Sequence, residues 1–187
     1  MNKAMHLVLY PLTFVLGACV GGSNNKPVYS VEYLKSDEIV LGTADKMQWG
    51  IDQFQTTFSD LKTPELSQRI ETLYAEQFYF NDTFRSFKER TELIAYLEET
   101  STRLISSDIE FQKVIIDGQD AYLRWVMDMK FSAGGKDIHS HSIGMTQLRF
   151  NEQGQIVFHQ DFWDSAHGFY QHLPVIGGLI HWVQNKL

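Results

Sequence analysis

The chain has 187 residues, a formal net charge of −7 and ordinary apolar and charged fractions, which fits one soluble globular domain plus a leader. Its 16 Lys and Arg are scattered with no basic stripe, and that excludes electrostatic capture of nucleic acid. The single cysteine, Cys19, excludes an internal disulfide and a thiolate metal cluster, while 13 Phe, 8 Tyr and 4 Trp supply large side chains for a core and an apolar pocket.

Residues 1–18 carry a positive start at Lys3 and an apolar run from Leu7 to Leu16. The run is too short for a membrane-spanning helix, which needs roughly 20 residues, and has the length of a signal-peptide core. It ends in Leu16-Gly17-Ala18-Cys19, which resembles a bacterial lipobox. The resemblance implies cleavage before Cys19 and a diacylglyceryl thioether on its sulfur, with acyl chains such as palmitate in the membrane. Two other readings stay open: plain secretion after Ala18 with Cys19 as a free thiol, and a misplaced start codon before a cytoplasmic protein. The position of the only cysteine ranks the lipoprotein first. Val20 rather than Asp after Cys19 implies the outer membrane by the enteric rule. Residues 19–43, with Gly21-Gly22-Ser23-Asn24-Asn25 near their start, read as a flexible tether.

Along the mature chain, Ala44 to Phe58 predicts a helix with Met47, Ile51, Phe54 and Phe58 on one face. Thr63-Pro64-Glu65 predicts a second helix start, with Thr63 as N-cap and Leu66, Ile70, Leu73 and Tyr74 inward. Gln77 to Phe80 reads as a short strand ending at Asn81-Asp82. Ser86-Phe87-Lys88-Glu89 matches a capping box, opening a helix to about Leu104 with Leu93, Ile94, Leu97 and Leu104 inward. Strands follow: 108–116, closed by the Asp117-Gly118 turn signal; 121–131; 138–150 after Gly134-Gly135; and 156–163 after Asn151-Glu152-Gln153-Gly154. The tail, 168–187, is apolar but interrupted by Pro174 and Gly177-Gly178, which predicts a kinked start and a short helix from about Gly178. Packing over an edge of the domain is the preferred reading of the tail; an interfacial membrane helix is the other.

Helices, a short strand and a long antiparallel meander make an α+β pattern. The motif Phe78-Tyr79-Phe80-Asn81-Asp82 and the hairpin from Leu148 to Ile156 resemble the nuclear transport factor 2-like superfamily over about residues 44–165. His159-Gln160-Asp161-Phe162-Trp163-Asp164, with Tyr170, Leu173-Pro174 and Gly177, resembles an uncharacterised subgroup of SnoaL-like proteins. The resemblance implies a cone: three N-terminal helices packed in a curved antiparallel sheet around a pocket, with residues 44–167 as the domain.

Strand alternation assigns the pocket face. Leu123, Trp125, Met127 and Met129 lie on it. A two-residue turn at Gly134-Gly135 pairs 133 with 136 and adds Ile138, Ser140, Ser142, Gly144, Thr146 and Leu148. A four-residue turn at 151–154 pairs 150 with 155 and adds Val157, His159, Asp161 and Trp163. A carboxyl group walled by aromatics suits acid or base work, and a nearby imidazole can assist it. Asp161, His159 and Asp82 are therefore the candidate catalytic residues, with Trp163, Trp125, Met127, Ser142 and Thr146 as pocket wall. Bland readings stand beside these: Asp82 as a turn residue, His159 and Asp161 as a satisfied buried pair, and the Trp and Met side chains as core. By resemblance Asp82 also matches the general-base position of ketosteroid isomerases. The first helix, however, lacks that family's oxyanion Tyr, and its second oxyanion acid falls on Thr146. The acid-and-arginine constellation of limonene epoxide hydrolases finds no clear match. His139 and His141 point outward, beside Asp128, as a surface cluster, so no metal site is expected.

These readings predict an envelope protein with a pocket for a small hydrophobic molecule and no cofactor, with catalysis left open. A non-catalytic carrier of a lipid-like ligand is the alternative. An interaction protein that dimerises through the outer sheet face is the third.

Overall fold

The computed structural model describes Tyr33 and residues 41–133, 135–173 and 175–186. Cys19, the lipobox and Pro174 lie outside the described residues. Helix α1 spans Ala44–Phe58, as expected, and buries Met47, Gly50, Ile51, Phe54, Thr57 and Phe58. Gly50 is required there: a Cβ would sit 2.4 Å from the Phe150 ring.

Helix α2 spans Leu66–Leu73 and begins later than the Thr63-Pro64 signal predicts. The Thr63 hydroxyl donates to the Glu65 carboxylate at 2.5 Å and caps no helix N–H. Strand β1, Tyr74–Asn81, follows without a break and takes Tyr74 from the helix. The capping box is not formed. Ser86-Phe87 is instead strand β2, paired antiparallel with Asn81 and Phe80. The Ser86 hydroxyl accepts from the Asn81 side chain at 2.7 Å. Helix α3 therefore starts at Arg90, after Glu89, and runs to Arg103. Leu104 starts the next strand. The C-terminal carbonyls of these helices find cationic partners, as the helix dipole favours. Lys62 donates to Ser101 O (3.2 Å) and Leu104 O (2.8 Å), and Arg90 donates to Glu71 O (2.8 Å).

Strands β3 (Leu104–Asp117), β4 (Asp120–Ala133), β5 (Lys136–Phe150) and β6 (Ile156–Trp163) complete a six-stranded curved sheet in the order β2-β1-β6-β5-β4-β3. It is not wholly antiparallel, because β1 runs parallel to β6. The two-residue turn at Gly134-Gly135 holds, with Ala133 paired to Lys136, while the first hairpin turns one residue later than its Asp117-Gly118 signal, since Asp117 stays in β3 and pairs with Asp120. The last hairpin differs. Phe150 pairs with Ile156, so the loop covers 151–155, one residue longer than expected. The Asn151 carboxamide oxygen causes this by accepting the N–H groups of Gln153 (3.0 Å) and Gln155 (2.9 Å). That change alone would turn His159 and Asp161 outward. A β-bulge then restores the parity, since Arg149 pairs with Phe158, Leu148 with His159, Thr146 with Asp161 and Gly144 with Trp163. Ile156, not Val157, takes the inner position at the bulge and joins the core.

Helices α1 to α3 fill the concave side of the sheet. The core is one apolar cluster that includes Ile51, Ile70, Leu93, Leu123, Leu148 and Ile156, all fully buried. On the convex side Tyr33 packs edge-on against Phe158 and Phe162 and donates to Gln147 at 3.0 Å. Beside it Arg149 forms a two-pronged ion pair with Asp120 (2.6 and 3.2 Å).

The tail divides into two parts. Helix α4, Ser165–Gly168, and the 3₁₀ turn Tyr170–His172 close over the cone mouth. There Phe169 stacks on Phe131 and meets Phe84 edge-on, and Ser140 donates to the Gly168 carbonyl. Helix α5, Ile176–Gln184, starts two residues before the expected Gly178. Its Ile176, Leu179, Trp182 and Val183 are exposed, so this half does not cover the domain edge as preferred. Among the described residues no helix is long and apolar enough to cross a membrane.

Candidate functional site

Between the helices and the sheet lies a cavity of about 130 Å³. Its walls come from α1 (Phe54, Phe58), the end of β1 (Phe80, Asp82, Phe84), α3 (Tyr96, Leu97, Thr100), β3 (Ile109, Phe111), β4 (Trp125, Met127, Met129), β5 (Thr146) and β6 (His159, Asp161, Trp163), with Leu61 beneath. All three candidate catalytic residues therefore meet in one space, with Trp163, Trp125, Met127 and Thr146. Ser142 does not line it. Its hydroxyl is buried without a hydrogen-bond partner, under Gly168, whose missing Cβ would lie 2.9 Å from that of Ser142.

Asp161 sits at the centre of a hydrogen-bonded chain. The Trp125 indole N–H donates to the Thr146 hydroxyl at 2.9 Å, which donates to Asp161 Oδ1 at 2.6 Å. Indole N–H only donates, so the direction of both bonds is fixed. His159 Nε2 lies 3.0 Å from the same Oδ1, and His159 Nδ1 lies 2.6 Å from the Tyr74 hydroxyl. The arrangement that satisfies every group has a neutral imidazole donating from Nε2 to the carboxylate and accepting from Tyr74 at Nδ1. Burial, with the charges of Asp161 and Asp82 adding to it, raises the Tyr74 phenol well above its usual range, so it keeps its proton. His159 is only 1% exposed, wedged edge-on between Phe54, Phe58 and Phe80. No described residue donates to Asp161 Oδ2.

Asp82 is held differently. Its Oδ1 accepts the N–H groups of Phe84 (2.9 Å) and Arg85 (2.8 Å), and its Oδ2 accepts the Tyr96 hydroxyl at 2.5 Å. These bonds lower its pKa, yet burial outweighs them and the net direction is upward, with Asp161 adding to the rise. Burial and the Asp82 charge push the Tyr96 phenol far up. The turn is strained at Thr83, a β-branched residue at φ 75°. It is pinned by Thr83 N–H to Asn81 Oδ1 (2.7 Å) and by the Trp163 indole to the Asp82 carbonyl (3.0 Å).

Sequence reasoning missed Tyr74 and Tyr96. Tyr74 reads as the end of a helical apolar face, and nothing near it in the chain signals a partner 85 residues away. Tyr96 lies on α3 off the buried Leu93 and Leu97 stripe, where its hydroxyl reaches back to Asp82. His139 and His141 point outward, with side chains 58% and 67% exposed, and both pair with Asp128 (2.7 and 3.6 Å). No group of three potential ligands that could hold a metal occurs among the described residues.

An α+β cone closed over an aromatic pocket with buried carboxyl groups defines the class of small-molecule pocket folds to which nuclear transport factor 2-like proteins belong. The chain belongs to the SnoaL-like domain family, whose sequence profile matches residues 55–159. No curated protein sequence matches it. Solved structures share the fold at low identity. An NTF2-like protein of unknown function from Exiguobacterium is 18% identical with a TM-score of 0.53, over 62% of this chain and 98% of that one. An LEH-like epoxide hydrolase from M. tuberculosis is 12% identical with a TM-score of 0.54, over 76% and 98%. A candidate SnoaL-like polyketide cyclase from Shewanella denitrificans is 16% identical with a TM-score of 0.55, over 67% and 94%.

Proposed function

We propose that this chain is an envelope lipoprotein, anchored through Cys19, whose cavity takes a small and mostly apolar molecule and moves a proton on it with Asp161 as the base. One observation carries the chemical part. Two donors hold Asp161 Oδ1 inside an aromatic cavity while no described residue donates to Oδ2. A carboxylate oriented and partly desolvated in this way is a positioned base. His159 and Thr146 fix its direction, and Asp82, whose pKa burial raises, is the second carboxyl of the cavity. The cavity volume is of the order that takes one ring or a short branched group, since about 150 Å³ holds benzene.

The test is deuterium exchange into cyclohexanone in D₂O, followed by NMR. Asp161 would take an α-proton and the solvent would return a deuteron. Acceleration by wild type and its loss in Asp161→Asn, at unchanged melting temperature, supports the base. Equal rates for the two proteins sink it. A second reading, a carrier without chemistry, is favoured by the three protein donors that already occupy Asp82. Binding of small apolar probes with no exchange would select it.

A further inference from the structure

The electrostatics of the cavity narrow its occupant. Among the described residues two carboxyl groups line it, Asp82 and Asp161, and no Lys or Arg does. The imidazole of His159 is neutral in the hydrogen-bonding arrangement that satisfies Tyr74, so it supplies no balancing charge. Arg85 lies 5.7 Å from the centre of the Tyr96 ring, but it lines a separate groove outside. An anion would be repelled here. A wholly neutral apolar ligand would leave a desolvated carboxylate oxygen, Asp161 Oδ2, facing hydrocarbon, which is costly.

The walls answer the same question independently. Phe84, Tyr96, Trp125 and Trp163 belong to the same lining, with Phe84 packed edge-on against Trp163 at 5.3 Å and the two indole ring centres 6.4 Å apart. Aromatic rings arranged about a small space attract an organic cation through their negative faces, and more strongly once water is excluded. The ligand also needs few N–H groups. Among the described residues Asp161 Oδ2 has no donor and Asp82 Oδ2 has one, so the open acceptor sites are too few for the five N–H groups of a guanidinium. No set of three metal ligands occurs among the described residues. An alkylated ammonium puts methyl groups against the rings and needs one acceptor at most. A trimethylammonium group is of the same order of bulk as a benzene ring and so matches the volume.

We infer that the cavity binds a small alkylated ammonium compound of the trimethylammonium class, held by Asp161 and the surrounding rings. The inference rests on the reading of the cavity as a ligand site and is independent of turnover. Its test is a pair of isosteric probes, choline and 3,3-dimethylbutan-1-ol, which differ in charge and hardly in shape. Each is titrated into the wild-type chain, with the indole N–H signals of Trp125 and Trp163 followed by NMR. Choline should bind at least about tenfold more tightly than the alcohol, the size of a desolvated cation–π contribution. Asp161→Asn should shrink that ratio and leave the alcohol's affinity nearly unchanged. Equal binding of the two probes, or tighter binding of the alcohol, overturns the ammonium inference and leaves the apolar pocket standing. Failure of both probes to shift either indole signal overturns the pocket reading as well. Because the decisive comparison uses wild type, it does not depend on any variant folding.

Discussion

The Tyr74 hydroxyl and His159 Nδ1 lie 2.6 Å apart, fully buried, where β1 and β6 run side by side. This bond fixes the imidazole with its proton on Nε2, toward Asp161. Tyr74→Phe should cost about 1–3 kcal/mol, the price of a buried acceptor left unsatisfied. It should also let the imidazole change tautomer. Chemical denaturation measures the first effect and ¹⁵N NMR of the histidine the second. A variant with unchanged stability and an unchanged Nε2–H signal would show that Tyr74 positions nothing.

Gly144 faces Trp125 directly across β4 and β5, and a Cβ there would lie 2.3 Å from the indole ring. No real contact is that short, so Gly144→Ala must displace the indole and break its bond to Thr146. A loss of about 1–3 kcal/mol from overpacking is expected, together with a shift in tryptophan fluorescence. Wild-type stability would mean that the indole has room to move.

Asp82 gives a pH signature. Its folded-state pKa is raised, first by burial and then by Asp161. A raised acid binds its proton more tightly in the folded chain than in the unfolded chain. The stability it contributes is therefore complete below the ordinary carboxylate range and is lost as pH rises through the folded value. Asp82→Asn keeps an acceptor for the Phe84 and Arg85 N–H groups and has no charge to desolvate. The melting temperature of the variant relative to wild type should climb from about pH 4 upward. A flat difference across that range would place Asp82 in an unperturbed setting.

Anchoring is tested at Cys19. If the lipobox reading holds, Cys19→Ser moves the protein from the membrane fraction to the soluble fraction and abolishes labelling by a fatty-acid probe. A wild-type protein that is soluble and unlabelled sinks the lipoprotein reading.

Helix α5 should contribute little to domain stability, because its large apolar residues face solvent. Deleting residues 178–187 should leave the unfolding free energy within about 0.5 kcal/mol of wild type. Extending the deletion back to residue 165 removes Phe169 from Phe131 and Phe84 and should cost several-fold more. Equal losses from the two deletions would mean that α5 packs on the domain.

The sequence by itself determined the element types and the faces of the long strands. Alternation over 121–131 and the short turn at Gly134-Gly135 leave no freedom, because a one-residue slip would expose Leu123, Trp125 and Met127. It also determined that His159 and Asp161 share a face, since they are two positions apart on one strand. What it misread was local chemistry open to more than one use. Ser86 has the spacing of a capping residue and became a strand residue because Asn81 and Phe80 were there to pair with it. The last hairpin was displaced twice, by a longer loop and then by a bulge, and the pocket face survived only because the two shifts of one residue add to two, which restores the alternation. Only the tertiary structure decided that Asp161 stands opposite Thr146 rather than beside it by two, that Ser142 is capped by Gly168, and that Tyr74 and Tyr96 reach His159 and Asp82. Each of these contacts joins residues far apart in the chain, and no period in the sequence encodes which distant side chain will occupy a given space in the cone.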